Sequence, residues 1–162
     1  MHALRPDPVE LTALLLRATG LPWPDTEDQS RGFYSALNFR SLSNPETAQD
    51  DPQTTWRRFR TALIGEADGS TVTTRGKLLA LQITAYNERG DDGPAAREGF
   101  NLLRQHLSSA LGAPIEEWGA AREPACRWHP VPMTVEMYCF QRGSSGVMVG
   151  LSRTEPSRTD PT

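Results

Sequence analysis

Residues 78–86, LLALQITAY, and residues 94–111, PAAREGFNLLRQHLSSAL, flank a short charged turn, and their reading decides the fold class. In the first, Leu79, Leu81, Ile83 and Ala85 alternate with Ala80, Gln82, Thr84 and Tyr86, the two-residue period of a strand with one face on a core. In the second, Pro94 occupies a first helical position, and Ala96, Gly99, Phe100, Leu103, Leu107, Ala110 and Leu111 share one stripe at helical spacing. Gly112 and Pro114 then supply the stop. A one-sided strand followed directly by a long one-sided helix predicts a helix lying across a sheet.

Toward the N-terminus, a turn at Gly76-Lys77 precedes a strand over Thr71 to Thr74, itself preceded by a turn at Ala67-Asp68-Gly69-Ser70. From Thr54 to Ile64 the pattern is again that of a strand. Thr55, Arg57, Phe59, Thr61 and Leu63 would share one face, and Trp56, Arg58, Arg60, Ala62 and Ile64 the other. Ser41 to Gln53 is polar, contains Asn44-Pro45 and Asp50-Asp51-Pro52, and reads as a surface loop after a short strand at Phe39 to Leu42. Two helices come first. Asp7 caps one, with Pro8 at its first position, Glu10 completing a capping box, Val9, Leu11, Leu14, Leu15 and Ala18 on its apolar side, and Gly20 at its end. The other runs from Asp25 to Leu37, with Phe33, Tyr34 and Leu37 at helical spacing.

Toward the C-terminus, a linker holding Trp118 leads to a short strand at Arg127-Trp128-His129. A stronger strand follows over Met133 to Phe140, then a turn at Gly143-Ser144-Ser145-Gly146 and a strand over Val147 to Leu151. Residues 153–162 are polar, with Pro156 and Pro161, and are expected to be a disordered tail. The chain therefore reads as one α+β domain over residues 1–152. Its antiparallel sheet of about five to six strands is packed by a long central helix and by N-terminal helices.

A chain of 162 residues supports one core of ordinary size. Its formal charge of −3 sets up no global field to attract nucleic acid or an anionic membrane. The longest apolar run, Leu11 to Leu16, is broken by Thr12 and falls far short of the roughly 20 residues of a membrane helix. Residues 1–7 lack the features of a secretory signal, so the expected location is cytoplasmic. The two cysteines, Cys126 and Cys139, are expected as free thiols there.

Cys126 and His129 form one close-spaced pair, whereas a zinc site draws on two such pairs, so no metal or cofactor is expected. Neither a Gly-x-Ser-x-Gly frame nor a phosphate-cradling glycine loop is present, and Gly76-Lys77 is followed by Leu78. Glu88, Asp91, Asp92 and the pair Glu116-Glu117 lack the spacing of a calcium loop and read as solvated turns. The stripe at Trp56-Arg57-Arg58-Phe59-Arg60 splits its arginines between two faces and fits a charged edge strand better than a nucleic-acid surface. Four tryptophans remain: Trp23, Trp56, Trp118 and Trp128. Trp and Arg are enriched at binding hot spots, so Trp56, Arg58, Arg60, Trp118 and Trp128 are the expected partner-binding residues. Against this, Trp118 and Trp128 could instead close the end of the sheet under the long helix.

The helix ending in residues 107–114, LSSALGAP, the tryptophan-bearing Arg127-Trp128 segment and the hairpin ending in residues 147–151, VMVGL, resemble small bacterial immunity-type proteins encoded beside polymorphic secreted toxins. The element order also resembles the secretion-chaperone-like α+β fold. What the resemblance implies is a cytosolic, non-catalytic protein, monomer or homodimer, that binds a protein partner and masks a toxin. It carries over no functional residue. The alternative from the residues themselves is a small hydrolase assembled around His129, His106 and Cys126.

Overall fold

The structure is a computed structural model that describes residues 3–42, 46–47, 49–90 and 93–154. The chain is α+β, with three helices over one antiparallel sheet. The elements are α1 (Pro8–Thr19), α2 (Glu27–Ala36), β1 (Arg40–Ser41), β2 (Glu46–Thr47), β3 (Thr54–Arg60), β4 (Asp68–Thr74), β5 (Lys77–Arg89), α3 (Pro94–Leu111), β6 (Glu116–Ala120), β7 (Glu123–Trp128), β8 (Met133–Arg142) and β9 (Ser144–Arg153). The sheet has nine strands in the order β1-β3-β4-β5-β9-β8-β7-β6, with β2 also paired to β3. β9, the last strand, lies between β5 and β8 and joins the two halves of the chain.

Local chemistry sets the helix ends. The Asp7 carboxylate accepts from Val9 N at 2.8 Å and starts α1 with Pro8 in its first turn. Thr26 Oγ1 accepts from Gln29 N at 3.1 Å and starts α2 two residues later than the acidic run predicts. At α3 the Glu88 carboxylate accepts from Ala95 N at 2.9 Å, so the end of β5 caps the helix that follows it. Leu11, Leu14, Leu15 and Ala18 of α1 and Ala96, Phe100, Leu103 and Leu107 of α3 are buried against one sheet face. That face is supplied by Leu81 and Ile83 of β5, Val149 and Leu151 of β9, and Val135 and Met137 of β8. Each such side chain contributes about 2 kcal/mol by leaving water. Val9, expected on the apolar side of α1, is 59% exposed.

The expected five to six strands become nine, and the reasons are local. β6 (EEWGA) is short and acidic, with no apolar alternation, so the expected Trp118 linker is in fact a strand in a hairpin with β7. β7 ends at Trp128, leaving His129 outside the strand. β1 and β2 are two-residue bridges onto β3, too short to carry a period. The expected turn at residues 67–70 lies earlier. Asp68 to Ser70 pair with Arg60 to Arg58 as strand, and Thr61 closes the loop through Oγ1 to Ala67 O at 2.8 Å. Ser144 to Gly146 likewise belong to β9, and the turn narrows to Gly143, whose φ of +71° suits a residue without Cβ. Arg153 is the last residue of β9, Thr154 N donates to Pro132 O at 2.8 Å, and residues 155–162 of the expected tail lie outside the described residues. No helix among the described residues is long and apolar enough to cross a membrane.

Candidate functional site

Because side chains alternate along a strand, the sheet has two faces of different character. Among the described residues all three helices lie on the face bearing Leu81, Ile83 and Val149, and the opposite face carries none. Four of the five expected partner-binding residues, Trp56, Arg58, Arg60 and Trp118, project from this open face. The register fixes the assignment. Arg58 pairs with Ser70, Ser70 with Gln82, Gln82 with Gly150, Gly150 with Glu136, and Glu136 with Arg127. Arg60 and Trp118 end the next row, through Asp68, Thr84, Met148, Tyr138 and Ala125. β3 and β6 are six strand spacings apart, about 29 Å at roughly 4.8 Å each, so the two tryptophans mark opposite margins of one surface.

At the β6–β8 margin the side chains are locked together. Arg127 donates from Nη1 to Glu116 at 2.6 Å and from Nε to Glu136 at 2.8 Å, and its guanidinium sits 5.0 Å from the Trp118 ring centroid. Trp118 meets Tyr138 edge to face at 5.7 Å, and the Tyr138 hydroxyl donates to Glu136. Burial, together with that carboxylate, pushes the Tyr138 phenol up to about 12, which keeps it a donor. At the β3 margin Arg60 grips Asp68 through Nε at 3.0 Å and Nη2 at 3.3 Å. Trp56 is 46% exposed, and Arg58 is exposed without an ion pair among the described residues. Arg58, Asp68, Ser70, Gln82 and Thr84 line a shallow polar concavity of about 320 Å³ between the margins.

Trp128 is placed differently from the other four. It is 1% exposed on the helix-covered face, where its indole Nε1 donates to Gly112 O at 3.0 Å, so it closes the core at the end of α3. Trp23 has the same kind of role, with Nε1 donating to Leu78 O at 2.8 Å and the ring edge-on to Phe33.

Among the described residues no hydrogen bond links His129, His106 and Cys126, the alternative hydrolase residues. Cys126 lies on the covered face at 1% exposure, where burial pushes its thiol up to about 12, and Cys139 is raised for the same reason. His129 is exposed beyond β7, its Nδ1 2.9 Å from Thr134 Oγ1, and His106 sits half-buried on α3. Among the described residues no group of three His, Cys, Asp or Glu is arranged to hold a metal ion. Glu117 is engaged by Arg104 and Glu116 by Arg127, while Asp91 and Asp92 lie outside the described residues.

Sequence reasoning missed Arg127, Glu136 and Tyr138. The signal was there: in β8, Thr134, Glu136, Tyr138 and Phe140 alternate with Met133, Val135, Met137 and Cys139, a polar and aromatic face opposite an apolar one. It also missed a polar seam between α2 and β3–β4, described below. Comparison with protein-family models, with curated proteins and with solved structures finds no match to this chain.

Proposed function

We propose that the chain is a non-catalytic, cytoplasmic protein-binding module of the immunity type, which docks a secreted toxin on its open sheet face and acts by occlusion. One observation carries this reading: among the described residues, a sheet face without helix cover presents an exposed tryptophan and an arginine without an ion pair at one margin, Trp56 and Arg58, and a fixed arginine–aromatic cluster at the other. Rigid aromatic and guanidinium groups lose little side-chain freedom on docking, and such residues dominate interface energies.

The test begins with the tagged full chain, isolated from the cell it comes from and sized by calibrated gel filtration, with co-purifying protein identified by mass spectrometry. The expected result is a single larger secreted protein at equal stoichiometry, whose purified form rebinds the chain and is inhibited by it. Trp56→Ala with Arg58→Ala should weaken that rebinding at least tenfold while leaving the melting temperature unchanged. A chain that returns alone, or a partner held equally well by the double variant, overturns the reading.

A further inference from the structure

α1 and α3 meet the sheet through apolar side chains, but α2 meets it differently. Glu27, Ser30 and Tyr34 recur at spacings of three and four on one side of α2. This side faces Thr55, Arg57 and Thr73 on the covered face of β3 and β4, across a cleft of about 110 Å³. Within it, Ser30 is 3% exposed and its Oγ has no hydrogen-bond partner, and the buried Tyr34 hydroxyl has none either. Two of the four buried side-chain polar atoms left unpaired among the described residues thus line this one cleft. A buried hydroxyl without a partner is destabilising, and native proteins keep few of them.

Arg57 defines the ligand. Its side chain is 36% exposed, and its guanidinium forms a loose ion pair with the Glu27 carboxylate at 3.6 Å, beyond hydrogen-bond range, and makes no hydrogen bond among the described residues. The planar donor fork is therefore open to an anion of matching geometry, a carboxylate. The nearby Glu27 charge disfavours a dianion. A 150 Å³ cavity accommodates benzene, so about 110 Å³ limits the occupant to roughly four to six non-hydrogen atoms. Hydroxyls both donate and accept, which suits a ligand bearing its own hydroxyl beside the carboxylate. We propose that the cleft between α2 and β3–β4 binds a small hydroxy-carboxylate, its carboxylate on Arg57 and its hydroxyl between Ser30 and Tyr34. This site is on the opposite face from the docking surface and stands independently of it.

The experiment titrates the full chain with glycolate, lactate, acetate and inorganic phosphate, followed by calorimetry and by thermal melting. Glycolate or lactate should saturate with a dissociation constant of about 1 mM or tighter, and raise the melting temperature by about 5 °C at a hundredfold excess over that constant. Acetate and phosphate should bind at least tenfold more weakly. Arg57→Gln should abolish saturation. Ser30→Ala removes an unpaired buried hydroxyl, so without ligand it should melt at or above the parent, and it should lose most of the ligand-induced rise. Tyr34→Phe provides the same test at the second hydroxyl. Absence of saturable binding, preference for phosphate, or an undiminished rise in Arg57→Gln or Ser30→Ala overturns the proposal.

Discussion

Trp56 and Trp128 are the same residue type in strands of the same sheet, and which face each occupies decides what each does. Trp128 lies at 1% exposure with its indole N–H on the Gly112 carbonyl, whereas Trp56 is 46% exposed on the open face. Trp128→Ala should therefore cost about 3–5 kcal/mol by the shift of a urea midpoint, and Trp56→Ala no more than about 0.5 kcal/mol. The sequence could not separate them, because Trp128 stands in a six-residue strand whose in-and-out period is blurred by Pro124 and Arg127. The same burial governs the thiols. Cys126 is pushed up to about 12 from 9.0 and Cys139 upward from the same value. Below pH 9 both thiols are protonated whether folded or unfolded. As pH rises past 9, the unfolded chain releases these protons while the folded one holds them, so Cys126 lowers stability between about pH 9 and pH 12, by up to about 1.4 kcal/mol per pH unit, and Cys139 acts in the same direction. Urea midpoints at pH 7.5 and pH 10.5 check this, and a constant midpoint contradicts it. Native protein should also resist iodoacetamide at pH 8 until it unfolds.

At the scale of elements, β5 is the strand whose alternation reads most clearly, yet its phase slips twice. Leu79 is the extra residue where Val72 pairs with Ala80 and Thr73 with Leu78, so Leu78 is buried and Leu79 is 50% exposed. The second slip, between Ala85 and Glu88, puts Tyr86 at φ +59° and buries it beside Ala85, its hydroxyl donating to Pro6 O at 2.9 Å. Neither bulge has a glycine to mark it, so strict alternation extends through both and misplaces Leu79 and Tyr86. The bulged Tyr86 ring in turn explains Gly99, a glycine inside α3. A Cβ there would lie 2.6 Å from Tyr86 Cε2 and 2.8 Å from Cγ. Helix propensity alone would make Gly99→Ala a gain of about 1 kcal/mol. The overlap reverses the sign, and the variant should instead lose about 1–3 kcal/mol, read from the urea midpoint. A stabilised Gly99→Ala would mean that α3 and β5 are less closely packed than the structure shows. The helix itself was legible because its caps, Pro94 and Gly112, and its apolar stripe agree. β6 was not, because an acidic edge strand of five residues owes its pairing to β7 rather than to any period of its own.

For the whole molecule, strand order matters more than strand content. β1 to β5 form one part of the sheet and β6 to β8 the other, and the strand between them, β9, comes last in the chain. α3 spans the join, packing on β5, β8 and β9 together and on α1. Composition predicted a single core, and the local patterns predicted most of its pieces. The junction was not legible, since the pairing of Ile83 with Val149 is a contact 66 residues apart in sequence and leaves no local trace. The open face was likewise half visible, as Trp56, Arg58 and Arg60 share a side by simple alternation, while Trp118 joins them only through the full register. The topology makes stability indivisible. Without β9, β5 and β8 would both expose unpaired edges, and Leu81, Ile83, Val135 and Met137 would lose the Val149 and Leu151 side chains between them. A chain ending at Arg142 should therefore show no cooperative urea transition by far-ultraviolet circular dichroism. The full chain should unfold in one step, with dichroism, which follows the whole sheet, and tryptophan fluorescence, which reports Trp23 in one half and Trp128 in the other, giving coincident midpoints. Two separated midpoints, or a native-like fragment 1–142, would mean that the halves hold themselves together without the strand that joins them.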